Sequence, residues 1–166
     1  MSIEAHCTPV DYAYGSCERT CAVLRIYSRE IVPAEVTARL GVPPTDTIGL
    51  GERKPPNSLG RSRVGKLNGW FLSSESVVES KDLRHHLDWL LLKLEPSGDA
   101  LRALQKESGV CMNVNCVWWS KDGGGGPTLW PTQMRRLAEL NLECSFDFSD
   151  YSEHRPTWDS SAFHGR

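Results

Sequence analysis

The densest charge in the chain lies between Gly51 and Lys66, where Arg53, Lys54, Arg61, Arg63 and Lys66 stand against a single acid, Glu52. The whole protein has a formal net charge of -2. A local basic cluster in such a chain suits an anionic group or an acidic partner rather than general nucleic-acid coating, which needs an overall excess of Lys and Arg. Inside the cluster, Gly60-Arg-Ser-Arg-Val-Gly65-Lys66-Leu67 comes close to a phosphate-binding loop. That motif requires a hydroxyl residue after the lysine to hold magnesium, with a strand before and a helix after it. Leu67 stands at the hydroxyl position and a strand-like run from Trp70 to Ser73 follows, so nucleotide hydrolysis is not expected. Trp70, Trp118 and Trp119 could instead wall a pocket in which Arg61, Arg63 or Lys66 meets a small anion. From Glu139 to Glu153 the sign reverses. Glu139, Glu143, Asp147, Asp150 and Glu153 occur with no basic residue, and a bipolar surface of this kind orients and speeds association.

Other groups of chemistry-capable residues lead nowhere specific. His6 and Cys7 with Cys17 and Cys21 offer soft ligands, but only the last two have the spacing that zinc sites favour, so no metal or other cofactor is expected. His85 and His86 lie near Asp88, yet successive helix positions point about 100° apart and no nucleophile accompanies them, which makes them ordinary surface histidines. The run Gly123 to Gly126 resembles a phosphate cradle only until Pro127, Thr128, Leu129 and Trp130 are counted between it and the next helix. The amides and the helix dipole would not aim at one point, so the run reads as a flexible connection.

The elements that position these residues follow from periodicity. Cys21 to Ser28 alternates as a strand, and Pro33 opens a helix with Val36 and Leu40 inward that Gly41 ends. Residues 42–68 are rich in Pro, Gly, Ser and basic residues without either period, a long loop of the kind that carries function. Ser80 or Asp82 caps a helix whose Leu83, Leu87, Leu90, Leu91 and Leu94 form an apolar stripe. Pro96, Ser97 and Gly98 interrupt it, and Asp99 to Glu107 resumes. The next strand, from Val110, alternates cleanly. Pro131 starts a short helix stopped at Asn141, and Leu142, Cys144, Phe146 and Phe148 then alternate inward against Glu143, Ser145, Asp147 and Ser149.

A helical hairpin after the second strand would set the third strand opposite to it. The expected fold is a two-layer α+β sandwich, a four-stranded, largely antiparallel sheet with helices on one face, of ferredoxin-like or related topology. Residues 1–20 are expected to be a loosely ordered lead-in, 21–149 a single domain, and 150–166 a polar tail. The bare sheet face should carry Arg25, Tyr27, Asn113, Asn115, Glu143, Ser145 and Asp147.

At 166 residues the chain fits one domain with one core. Six cysteines without an export signal at the start read as reduced thiols in the cytoplasm. The most apolar run, Leu87 to Leu94, is interrupted by Asp88 and Lys93 and is far short of the roughly 20 residues that cross a bilayer.

The segments Asn68-Gly-Trp-Phe-Leu-Ser-Ser, Asp82-Leu-Arg-His-His-Leu, Gly126-Pro-Thr-Leu-Trp-Pro and Leu140-Asn-Leu-Glu-Cys-Ser-Phe-Asp together resemble the bacterial family known as domain of unknown function 4279, over about residues 21–149. The resemblance implies a small cytoplasmic protein and assigns no catalytic residue. Three functions remain open. The first is a non-catalytic binding module, immunity-type or regulatory, whose partner is another protein met by Arg53, Arg61, Arg63, Lys66, Glu143 and Asp147. The second is a sensor of a small anionic ligand that uses the basic loop with Trp70 and Trp119. The third is an enzyme, for which no convergent nucleophile, base and orienting group is evident.

Overall fold

The computed structural model describes residues 7–57 and 59–150. Met1 to His6 and the tail beyond Asp150, including Glu153, lie outside the described residues. The elements are β1 (Cys17–Ser28), α1 (Pro33–Leu40), β2 (Asp46–Ile48), β3 (Asn68–Ser73), α2 (Leu83–Leu94), a 3-10 turn (Glu95–Ser97), α3 (Gly98–Gln105), β4 (Val110–Ser120), α4 (Pro131–Glu139) and β5 (Cys144–Asp150). They build one sheet in the order β2-β3-β1-β4-β5. Three of its pairings are antiparallel and β4–β5 is parallel.

The sheet has five strands rather than four, because β2 arises inside the stretch expected to be loop. Its anchor is Thr45, whose N–H donates to the Phe71 carbonyl at 2.8 Å while its hydroxyl oxygen accepts the Ser73 N–H at 2.8 Å. Ile48 is then buried opposite Gly69.

Helix boundaries follow local chemistry. Pro33 and Pro131 stand at helix starts, where a missing N–H costs nothing. Gly41 closes α1 at φ +67°, donating its N–H to the Thr37 carbonyl. Asp82 caps α2 by accepting the Arg84 N–H at 3.0 Å.

All four helices pack on one face. Ala22, Leu24, Ile26, Trp70, Leu72 and Val114 from the strands meet Val36, Leu137 and the leucines of α2 and α3 in a single cluster. Leu83, Leu87, Leu90, Leu91 and Leu94 are all at 0 % exposure, each contributing about 1.5–3 kcal/mol by burial.

β3 and β4 both run antiparallel to β1, hence in the same direction as each other, contrary to the expected reversal. Glu95 (φ -52°, ψ -45°) and Gly98 (φ -57°, ψ -42°) keep right-handed helical angles. Pro96 sits at the start of the 3-10 turn, where it kinks the path without reversing it. The helical stretch from Leu83 to Gln105 therefore carries the chain across β1.

Between residues 7 and 16, the described part of the stretch before β1, hydrogen bonds run to the domain. The Trp130 indole N–H and Arg84 Nη1 donate to the Thr8 carbonyl at 2.7 and 2.8 Å, and the Tyr14 hydroxyl donates to the Gly126 carbonyl at 2.9 Å. A further expectation changes. Phe146 and Phe148 lie on the helix side of β5, yet they are 41 % and 58 % exposed. α4 ends at Glu139 and, among the described residues, no helix covers the far half of this edge strand.

Candidate functional site

The basic stretch is a built element. Gly51 N–H donates to the Gly65 carbonyl at 2.7 Å, Gly65 N–H to Glu52 at 2.8 Å and Lys54 N–H to Arg63 at 2.8 Å, with Arg53 bridged antiparallel to Val64. At the tip the Asn57 side-chain oxygen accepts the N–H groups of Leu59 and Arg61, each at 3.0 Å. The stretch is thus a two-arm ribbon extending from the β2 edge. Gly65 makes this possible, since a Cβ there would lie 2.1 Å from the Gly49 carbonyl oxygen.

The returning arm leans over the helix-free face of the sheet and encloses a cavity of about 270 Å³. Tyr27 and Ile48 line it from the strands, Val64 and Leu67 from the arm, and Arg63 and Lys66 supply its cations. Phe71 lies beside it, edge-on to Tyr27 at 5.5 Å and 5.7 Å from the Arg63 guanidinium. The ring lies over Gly69, where a Cβ would meet it at 2.7 Å.

Charge in the ribbon is largely uncompensated. Lys54 is neutralised by Asp46 at 3.1 Å and Glu52 at 3.7 Å, and its hydrogen bond to Asp46 raises its pKa above the ordinary lysine value. Among the described residues, Arg53, Arg61, Arg63 and Lys66 have no carboxylate within ion-pair distance. All four are exposed.

The tryptophans expected to wall an anion pocket are elsewhere. Trp70 is 1 % exposed on the helix side, its indole N–H donating to the Thr37 hydroxyl at 3.0 Å. Trp118 is fully buried against Tyr14, edge-on at 5.2 Å. Trp119 does lie on the helix-free face but under the Arg19 guanidinium, 4.0 Å from its ring centre, at the far end of β4. Tyr27 and Ile48 take the role instead. Tyr27 stands outward on β1, as its alternation predicts, whereas Ile48 depends on β2, a strand that no side-chain period marks inside the loop.

A second polar cluster closes the N-terminal end of α2. Asp82 and Arg84 form an ion pair with side chains 0 % and 3 % exposed. Burial alone would raise the Asp82 pKa, but the Arg84 guanidinium and the N–H groups of Asp11 and Arg84 hold it below the ordinary carboxylate range. His86, expected at the surface, is 1 % exposed. Its Nε2 lies 2.8 Å from the Ser80 carbonyl and its Nδ1 2.8 Å from the Ser74 hydroxyl. A neutral ring that donates from Nε2 and accepts at Nδ1 satisfies every atom, and burial pushes its pKa below the ordinary histidine value. Ser74 and His86 resemble a nucleophile and base, but both are sealed from solvent; their contact holds the end of α2 against β1.

The acidic residues sit at the opposite edge. Glu143 and Asp147 are exposed beside and on β5, on the helix-free side, while Phe146 and Phe148 stack at 6.3 Å on the other. Between β1 and β5 the polar face is internally satisfied. Arg25 Nε donates to Asn113 Oδ1 at 3.1 Å, Asn113 Nδ2 to the Ser145 hydroxyl at 2.9 Å, and that hydroxyl to Asn115 Oδ1 at 3.0 Å.

Among the described residues, no group of three or more His, Cys, Asp or Glu is arranged to hold a metal ion. His6 lies outside them. No helix among them is long and apolar enough to cross a membrane.

A family model described as a domain of unknown function (DUF4279) matches residues 18–151. No curated protein and no solved structure matches the chain.

Proposed function

The chain belongs to the DUF4279 family, and from that premise we propose that it is a non-catalytic binding protein, immunity-type or regulatory, whose edge strand β5 receives a strand of a protein partner. The observation that carries this is the exposed, stacked pair Phe146 and Phe148 on a strand that has a neighbour on one side among the described residues. An unpaired strand edge is a template for another strand, with side-chain alternation setting specificity. Asp147 and Glu143 on the opposite face favour a partner that alternates apolar and basic residues. All six cysteines are free, which supports placing the protein in the reducing cytoplasm. The first four strands, in element order β-α-β-β-α-β and sheet order β2-β3-β1-β4, support a ferredoxin-like reading of the scaffold, with β5 added.

A benzophenone amino acid at Phe148 tests this in cells. One discrete cross-linked protein, lost when Asp147→Lys reverses the local charge, supports the proposal; no product, or a product unaffected by the reversal, counts against it.

A second reading rests on the cavity beneath the ribbon, where Arg63 and Lys66 are suited to a small anion. A thermal-shift screen of phosphate and carboxylate compounds should raise the melting point for some of them, and the rise should vanish in Arg63→Ala/Lys66→Ala. A screen in which nothing moves removes this reading.

A further inference from the structure

We propose that Cys116 and Cys144 are a modification site, a dithiol that hydrogen peroxide closes into an intramolecular disulfide between β4 and β5. Their sulfurs are already in contact at 3.7 Å. They stand on neighbouring parallel strands, offset by two positions, since Cys116 pairs with Phe146 and Cys144 with Val114. Their exposure is unequal. Cys116 is at 0 %, within the core, whereas Cys144 is half-buried at its margin, so an oxidant reaches Cys144 first.

The electrostatics favour the same division. The hydrogen bond between the two sulfurs holds the Cys144 pKa below the ordinary thiol value, and that bond together with burial pushes the Cys116 pKa up. The thiolate is the reactive form, which assigns attack to Cys144 and resolution to Cys116. By contrast, burial raises the pKa values of Cys17 and Cys21 to about 11.

The chemistry balances with peroxide as oxidant. The Cys144 thiolate attacks one peroxide oxygen, the O–O bond breaks, and hydroxide leaves to become water, giving a sulfenic acid. Cys116 sulfur then attacks the Cys144 sulfur, loses its proton and displaces a second water. Two thiols are oxidised and one peroxide is reduced to two waters.

Bond formation brings the sulfurs to about 2.05 Å, an approach of roughly 1.6 Å. β5 can supply that movement because it is the last strand of the sheet among the described residues and all of its residues are exposed or half-buried. This inference does not depend on the proposed partner.

The test uses the full chain carrying Cys7→Ser and Cys111→Ser, which removes the two exposed thiols. Millimolar peroxide should lower the thiols titratable after denaturation from four to two, and peptide mapping should join the fragments holding Cys116 and Cys144. In a further Cys116→Ala variant, a sulfenic-acid probe should label Cys144. Four thiols persisting, a linkage between other cysteines, or thiol loss unchanged by Cys144→Ser would overturn the proposal. Mapping on the parent chain keeps the test decisive if Cys116→Ala fails to fold.

Discussion

Replacing Asp82 with Asn should destabilise the protein by about 3–5 kcal/mol, the range for removing one partner of a buried ion pair. The structure places this change at the upper end of single-residue effects. The Asp82 carboxylate is fully buried and accepts four separate donors, namely Arg84 Nε and Nη2, the Asp11 N–H at 2.8 Å and the Arg84 N–H at 3.0 Å. Asn retains one acceptor oxygen and leaves the guanidinium, 3 % exposed, without a counter-charge. Arg84 would keep its bonds to the Thr8 carbonyl and hydroxyl and its place 5.3 Å from the Trp130 ring, which prevents a complete loss of order. The comparison is Glu35→Gln at the exposed i,i+4 pair with Arg39, where about 0.3–0.5 kcal/mol is expected. Urea unfolding followed by tryptophan fluorescence reads both. With a slope of about 1–3 kcal/mol per molar, Asp82→Asn should lower the midpoint by at least about 1 M, and Asp82→Leu/Arg84→Met should recover most of that loss. If Asp82→Asn moves the midpoint no further than Glu35→Gln, the pair does not fasten the N-terminal stretch to α2 and the reasoning fails.

Stability should fall as pH drops below about 6.5, because His86 is buried neutral and the unfolded chain takes up its proton first. Urea midpoints across that range should show the slope, and His86→Gln should flatten it. Asp82 contributes a separate loss at lower pH, as its depressed folded pKa is approached. Gly65→Ala should cost about 1–3 kcal/mol, since its Cβ would overlap the Gly49 carbonyl oxygen; hydrogen exchange should show the amides of Lys54 and Gly51 losing protection. Trp70→Phe should cost about 1–2 kcal/mol through loss of the indole donor to Thr37 and of buried volume, and it should leave any anion-induced thermal shift at the ribbon intact.

Helices were legible wherever chemistry marks their ends. Pro33 with Gly41, the leucine stripe after Asp82, and Pro131 each announce a boundary that the structure keeps. β4 was legible because its alternation is long. The ribbon was not, since its order comes from backbone bonds between residues such as Gly51 and Gly65, which no side-chain period records. Pro96 does not by itself reveal the direction of the next strand, because proline at the start of a 3-10 turn bends a helical path as readily as it ends one. Alternation placed Phe146 and Phe148 on the helix side correctly but could not say how far α4 would reach. His86 looked like a surface residue because the cover over it comes from Ser74 and Ser80, outside its own helix.

The strand order gives the acidic overall charge a different meaning from its sum. Arg63 and Lys66 lie over β3 and β1, where Tyr27 lines their cavity, and Asp147 lies on β5, two strands away and six residues along, since Tyr27 pairs with Cys111 and Asp147 with Val117. Two inter-strand steps of about 4.8 Å and six residues of about 3.3 Å separate Tyr27 from Asp147 by roughly 22 Å, more than twice the screening length of about 8 Å at physiological ionic strength. Neither group neutralises the other, so each presents its own sign to its surroundings. A basic strand docking at β5 and an anion held by Arg63 and Lys66 should therefore bind without competing, and each affinity should weaken separately as salt is raised. Mutual exclusion of the two would mean that the occupants meet across the helix-free face, and the separation argued here would fail.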